Sequence, residues 1–359
     1  MKIIYSGLRV ENYNPKRSPS FEYTNFYLTL KSLFSAEVIE YPFDNILKVG
    51  KRWFNKNLLD LILREKPDLF FAFMYTDELD VETLDAIKRK TKTIAWFADD
   101  HWRIWNYSRH YAPHFTWGAT TWSMAPAIYA RYGIKNIIRS QWACSPRERE
   151  PFDFAQDKLF DVAQGKPLNK DINVSFVGQR TEKRANIIEE LRRAGINIYV
   201  RGWGWPEGRV SEEEAVKIFS RSKINLNIND SPNLFKPKYL ARLFLRRSMN
   251  RFVPSLNFLD NFQSWRGMSV PQIKARPFEL SARGAFVISG YADDMDAYYE
   301  ENEEMIFYRS SAELAQKIAY YLERGDEREK IAEAGYQRTL REHTYKKRFE
   351  EIFEKIGLR

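Results

Sequence analysis

Cysteine is nearly missing from this chain of 359 residues: Cys144 is the only one. That excludes an internal disulfide and agrees with a reducing compartment. Cys144 sits in Gln-Trp-Ala-Cys-Ser-Pro at a strand end, where a small apolar filler is a simpler reading than a nucleophile. No run of 18 or more apolar residues occurs, so no membrane-spanning helix is expected. The opening Met1-Lys2-Ile3-Ile4-Tyr5-Ser6-Gly7 is too short an apolar run for a secretory signal and reads as a first strand, which makes a cytoplasmic protein the expectation. Also lacking are an RNA-binding aromatic motif and zinc-ligand spacing, so no nucleic-acid partner is expected. His110 and His114 are four apart, but Pro113 interrupts any helix between them, and no glycine-bearing calcium loop follows Asp293, Asp294 and Asp296. No metal site is expected.

What the chain has in quantity is apolar material and positive charge. At 44% hydrophobic and 15% aromatic residues it can fill two cores, and its length suggests two domains with a cleft between them. A net charge of +9 points to a polyanionic partner: nucleic acid, anionic lipid or a phosphorylated small molecule.

Strand and helix alternate through the first 150 residues. Strands are expected at 3–6, 36–41, 68–73, 92–97, 119–122 and 137–143, with helices at 23–33, 58–64, 80–90 and 125–132 between them. The unbroken apolar run at 69–73 is of the kind a parallel sheet buries on both faces. This is a doubly wound α/β domain, 1–150. At the carboxyl end of its fourth strand stand Asp99, Asp100 and His101, where open α/β sheets place ligand groups. Two carboxylates and an imidazole there suit a general base or a hydroxyl-binding group; a turn with a helix cap is the competing reading.

Residues 151–170 read as a linker, because 151–158 is followed by the near-copy 159–166. A second βαβ pattern follows: a buried strand over 172–180 ending in a glycine, Gly178, and a cation, Arg180, a helix at 181–194 and a strand at 196–200 running into Arg201-Gly202-Trp203. A helix is expected at 212–220 and a strand at 223–228. Between Asp230 and Asp260 no acidic residue occurs, whereas Lys236, Lys238, Arg242, Arg246, Arg247 and Arg251 do. Arg242 and Arg246 at helical spacing, opposite Leu240, Leu243 and Phe244, describe a basic amphipathic helix. It would touch anionic lipid headgroups, line a cleft or simply face water.

The most informative stretch is 267–290, read as a loop, a short apolar helix carrying Phe278, Leu280 and Ala282, and a buried strand at 285–289. Such a unit places helix N–H groups, Lys274 and Arg276 beside the carboxyl edge of a parallel sheet, where they would hold a diphosphate without a metal, and Glu279 one turn on would accept ribose hydroxyls. Solvated charges around a helix start are the alternative. Helices at 312–323, 328–339 and 345–356 complete the chain.

The run Gln272-Ile273-Lys274-x-Arg276-x-Phe278-Glu279, then Ala282-Arg283-Gly284-Ala285-Phe286, resembles the donor-site signature of the glycosyltransferases related to the spore-maturation protein CgeB, in the group 1 (family 4-like) branch of the GT-B fold. The similarity continues through Glu300, Glu303 and Glu304, Ile-Ala-x-Ala-Gly-Tyr-x-Arg-Thr at 331–339 and Glu-His-Thr-Tyr-x-x-Arg-Phe at 342–349. It implies two Rossmann-like domains facing a cleft, with a nucleotide-sugar domain at 171–340 and the last helix, 341–359, returning to the first domain. It implies glycosyl transfer from a UDP-, GDP- or TDP-sugar to a hydroxyl of a glycan, lipid-linked or protein acceptor, without a metal; the basic helix adds peripheral contact with the inner membrane face as an expectation. On this resemblance Gly178, Arg180 and Arg184 face phosphate, Gly202 and Trp203 lie near the base, Lys274 and Arg276 hold the diphosphate, and Glu279 holds the ribose. Many group 1 members carry another glutamate eight positions earlier; here that place is taken by Pro271. A non-catalytic binder on the same frame and a nucleotide-sugar epimerase are the competing functions.

Overall fold

The computed structural model describes residues 1–33, 36–145, 160–161, 166–167, 170–229, 231–292 and 294–358. The near-repeat at 151–166 lies outside the described residues apart from two-residue strands at Phe160–Asp161 (β7) and Lys166–Pro167 (β8), which pair antiparallel. The chain divides into two units: Met1–Gln141 with Asn233–Val270 and Tyr345–Arg359, and Trp142–Pro232 with Pro271–Thr344.

The first unit holds a six-stranded parallel sheet of Lys2–Ser6 (β1), Glu37–Glu40 (β2), Leu69–Met74 (β3), Lys92–Phe97 (β4), Trp117–Thr120 (β5) and Ile137–Arg139 (β6), in the order β2-β1-β3-β4-β5-β6. Every residue of β3 is buried, as its unbroken apolar sequence requires when helices cover both faces. One face carries an aromatic cluster. The ring of Phe26 lies 4.9 Å from Phe73, 4.8 Å from Trp96 and 5.3 Å from Phe349 of the C-terminal helix Tyr345–Lys355. That helix buries Tyr345, Phe349, Ile352 and Phe353 at helical spacing, so its apolar stripe completes the first core.

The second unit holds a five-stranded parallel sheet of Ile172–Val177 (β9), Tyr199–Arg201 (β10), Ser222–Asn227 (β11), Val287–Gly290 (β14) and Ile306–Tyr308 (β15), in the order β10-β9-β11-β14-β15. Both sheets reverse strand order beside their first strand, β1 next to β3 and β9 next to β11. Such switch points open crevices at carboxyl edges. Thr181 caps Glu182–Arg193 by accepting from the Arg184 amide at 3.2 Å, and Ser211 with Glu214 forms a reciprocal cap on Glu212–Arg221.

Residues 233–270 depart from the sequence reading, which gave them to the second domain and to a basic amphipathic helix. Helix persists only over Pro237–Leu240 and a 3-10 turn, Ala241–Leu243. Leu245–Ser248 (β12) and Arg251–Pro254 (β13) then form an antiparallel hairpin closed at Met249, whose φ is +50°. Arg242 and Arg246 therefore share no helix face. The ladder is stapled outward: the Met249 amide donates to Thr76 Oγ1 at 2.8 Å and Ser248 Oγ to Asp77 Oδ2 at 3.0 Å, bonds a continuing helix would forfeit. A helix at Phe258–Gly267, unforeseen in the sequence, follows. Its buried Asn261 donates to the Leu243 carbonyl and accepts from Asn106 Nδ2, both at 3.0 Å.

Candidate functional sites at the two carboxyl edges

In the second unit the ends of β9 and β10 are joined by backbone. The Gly178 amide donates to the Arg201 carbonyl at 2.9 Å and the Arg180 amide to the Trp203 carbonyl at 2.8 Å. Gly202 has φ +135°, and a Cβ there would overlap the Gly178 carbonyl oxygen, so glycine is required for this close approach. Trp205 Nε1 donates to the Gly178 carbonyl at 2.9 Å, while the Arg180 guanidinium lies 5.6 Å from the Trp205 ring. Trp203 is exposed. Four of the sequence-selected residues, Gly178, Arg180, Gly202 and Trp203, thus meet at one rim.

Arg184 is held by backbone carbonyls. Its guanidinium donates to the Ile228 carbonyl at 3.0 and 3.1 Å and to the Gln179 carbonyl at 3.0 Å, bridging the loops after β9 and β11 across the switch point. The Arg-carbonyl commitment is invisible in the sequence, where Arg184 reads only as a cation after a glycine.

The helix carrying Arg276 and Glu279 is short, Arg276–Ser281, with Pro277 in its first turn. Positive charge there resides in side chains more than in an extended helix dipole. Arg276 Nη1 pairs with Glu279 Oε2 at 3.0 Å, and the guanidinium lies 5.4 Å from the Phe219 ring. Lys274 is exposed on the preceding turn. A separate pocket of about 530 Å³ opens beside β11, β14 and β15, lined by Lys183, Asn229, Ser231, Pro271, Tyr291 and Arg309 among others. None of the eight donor-side residues chosen from the sequence lines it. Arg309 in that wall is already paired with both carboxylate oxygens of Glu301, at 3.0 and 3.1 Å.

In the first unit a cavity of about 670 Å³ lies at the carboxyl edges of β3 and β4. Residues 75–77 with Asp99, Trp102, Arg103, Asn106, Tyr107 and Tyr111 form one side, and Arg242, Arg246, Arg247, Phe252, Ser264 and Met268 contribute the other. The structure separates the three residues proposed from Asp-Asp-His. Asp99, with φ +59°, lines this cavity. Asp100 is wholly buried and accepts from Tyr129 Oη at 3.0 Å; burial pushes its carboxyl up to about 6, against the hydroxyls of Ser108, Thr120 and Tyr129, which favour the charged form. His101 is buried and does not line the cavity. Its carbonyl instead receives the helix Phe258–Gly267: a Cβ on Gly267 would overlap the His101 carbonyl oxygen and approach Trp102 Cα to 2.9 Å.

His110 Nε2 lies 3.7 Å from Asp260, and its pKa is lowered by burial and by Arg109, with Asp260 opposing. His114 Nδ1 meets Asp85 at 2.8 Å. Asp293 lies outside the described residues. Among the described residues, no three His, Cys, Asp or Glu side chains gather closely enough to hold a metal ion, and no helix is long and apolar enough to cross a membrane.

Two doubly wound units of this kind recur in solved structures. Sucrose-phosphate synthase from Thermosynechococcus elongatus aligns with a TM-score of 0.57 at 9% identity over 99% of each chain. A glycosyltransferase from Rickettsia africae aligns at 0.57 and 10% identity, over 98% of this chain and 97% of that one. The fold is GT-B. The Anabaena protein HepE, solved in complex with UDP and glucose, shares it with a TM-score of 0.54 at 10% identity over 99% of each chain. Residues 180–354 match the family model described as glycosyl transferase-like. No curated protein matches the chain in sequence. The matched segment on a GT-B frame supports sugar transfer as the activity, and the match takes in Arg180, Lys274, Arg276 and Glu279.

Proposed function

We propose that the protein is a glycosyltransferase that moves a sugar from a nucleotide-diphospho-sugar to a hydroxyl acceptor, the second unit holding the donor and the first the acceptor. The observation that carries this is the glycosyl transferase-like match over 180–354, which embraces the whole donor-side set after Gly178. UDP in the HepE complex makes a uridine donor the first candidate, with GDP- and TDP-sugars behind it. Within the group, the motifs at 272–286 and 331–349 favour the CgeB-like branch.

In this reading Arg180, Lys274 and Arg276 neutralise charge developing on the leaving diphosphate, the work a divalent ion does elsewhere. Glu279 keeps Arg276 on Oε2 and offers Oε1 to a ribose hydroxyl, which a carboxylate with two acceptor oxygens can do. Arg184 sets the crevice width through its carbonyl bonds. Asp99, which lines the cavity, would orient or deprotonate the acceptor hydroxyl, with the buried Asp100 and His101 supporting the turn beneath it. Pro271 offers no carboxylate to the donor sugar, so sugar choice falls to other groups, for which Asn229 and Ser231 of the separate pocket that Pro271 itself lines are suited.

The acceptor is proposed to be membrane-associated. Among the described residues, nine of the nineteen most exposed large apolar side chains fall between Phe235 and Phe262, including Phe244, Leu256 and Leu259. Lys236, Lys238 and Arg251 stand among them without an acidic residue from Ser231 to Leu259. Apolar side chains ringed by cations match an anionic bilayer surface.

Thermal shift against UDP, GDP and TDP and their sugars tests the donor assignment, and product analysis with and without acceptor separates transfer from epimerisation. Absence of any nucleotide shift overturns the reading.

A further inference from the structure

We propose that the cavity at the carboxyl edge of the first sheet binds an oxyanion of the acceptor, a phosphate or carboxylate group, with Arg242 as its principal ligand. The proposal rests on the assignment of the acceptor to the first unit. Arg242 lines the cavity with its guanidinium 4.7 Å from the Trp102 ring, so one flat face is covered by indole while the edge donors are left for a ligand.

Among the described residues no carboxylate or carbonyl accepts from that guanidinium. The other cations of the lining are all engaged. Lys51 pairs with Asp80 and Arg246 with Asp77, both at 3.0 Å. Arg103 donates to the carbonyls of Met74 and Tyr75, and Arg247 to Asn12 Oδ1 at 2.8 Å and the Met249 carbonyl at 3.0 Å. Burial draws the Arg242 pKa down from its ordinary value, the mark of a cation partly withdrawn from water.

A guanidinium partly withdrawn from water and stacked on indole keeps preorganised edge donors for an oxyanion, two of which a phosphate or carboxylate takes in parallel. Electrostatics agree. Five cations, Lys51, Arg103, Arg242, Arg246 and Arg247, line the cavity against the carboxylates Asp77 and Asp99. The rings of Tyr75, Trp102, Tyr107 and Tyr111 supply walls for an apolar or cyclic body attached to the anion. The ligand class is therefore an oxyanion on a ring or hydrocarbon. On a membrane-associated acceptor it is part of a lipid headgroup; a soluble phosphate ester is the competing source, which the experiment separates.

Calorimetric titration of the full chain with phenyl phosphate, against the neutral phenyl glucoside, reads the site directly. In parallel, vesicles of phosphatidylcholine with and without phosphatidic acid are tested by co-sedimentation. Wild-type protein is expected to saturate with the phosphate ester and not with the glucoside. Arg242→Gln is expected to bind at least ten-fold more weakly at an unchanged Tm, with Arg242→Lys between them. Loss confined to phenyl phosphate assigns a soluble source, and loss that extends to phosphatidic acid vesicles assigns a headgroup. No saturable binding by wild type, or equal binding by Arg242→Gln, overturns the proposal. UDP binding to the same preparations tests the donor reading separately: intact UDP binding without phosphate-ester binding sinks the anion site alone.

Discussion

The two sheets end in carboxyl edges built by different means. At the edge of the second sheet the rim is mostly backbone: Gly202 against Gly178, amides of Gly178 and Arg180 tied to the next turn, and Arg184 clamping carbonyls across the switch point. At the edge of the first, the cavity is walled by side chains brought from far along the chain, with Arg246 on Asp77 and Asn261 on Asn106. A backbone rim tolerates a common ligand part such as a diphosphate. A side-chain wall can change with the acceptor while the frame stays put.

The first way to sharpen this contrast is to loosen only the side-chain-built unit. Phe349→Ala removes a fully buried ring from the cluster of Phe26, Phe71 and Tyr345. It should cost the first unit about 3–5 kcal/mol. Hydrogen exchange should then quicken in β1, β3 and β4 while β9 and β11 keep their protection. Equal loosening of both sheets would mean that the units do not unfold separately.

Next in size is the proposed donor edge. Glu279→Ala and Arg276→Ala should each lower kcat/KM by about 10²–10³-fold, the range for removing one preorganised group from developing charge or a buried polar contact. Both should also weaken nucleotide binding, with Tm in the absence of nucleotide changed little because the half-buried pair, still open to water, contributes about 1 kcal/mol or less. A nucleotide-induced Tm shift that survives both substitutions removes these residues from the donor site.

How much of each edge was legible follows from the same contrast. The stretch 272–286 is contiguous, so Lys274, Arg276, Glu279 and the turn before β14 can be read together from one line of sequence. Gly178 and Gly202 end apolar strands, a local signal whose close approach the structure then explains. The cavity of the first unit has no such line: Asp77, Asp99 and Arg242 are brought together by tertiary folding. The hairpin at 245–254 was concealed because two arginines at helical spacing fit one turn of helix as well as they fit a strand and its approach. Asp100 and His101 looked equivalent to Asp99 until the left-handed residue Asp99 turned the chain and sent its two successors inward.

A further variant addresses the seam within the first unit. Gly267→Ala would drive a methyl into the His101 carbonyl and lift the helix Phe258–Gly267 off residues 101–102. A loss of about 1–3 kcal/mol is expected, as for overpacking at a close contact. Because Ser264 and Met268 line the cavity, phenyl phosphate binding should weaken while UDP binding does not. Equal loss of both ligands would erase the distinction between the edges.

The smallest expected effect concerns charge beneath the cavity. Asp100 is fully buried with its carboxyl pushed up to about 6, from an ordinary value near 3.8. The folded chain thus holds a proton that the unfolded chain releases, so this group's contribution to stability is full below about pH 4 and is lost as pH rises through 6. At pH 8 the native state carries a buried anion; Asp100→Asn carries none, and its amide oxygen still accepts from Tyr129 Oη. A shift of about two units corresponds to about 3 kcal/mol at most, from which imperfect hydrogen bonding to the new amide subtracts about 1–2 kcal/mol. The variant's Tm relative to wild type should therefore be more favourable at pH 8 than at pH 5. Glu22, raised to about 7 by burial, remains in both proteins and cancels from the difference. If the difference in Tm is flat across that range, the carboxylate does not carry the charge penalty that its burial implies, and the turn below Asp99 is held by hydrogen bonds alone.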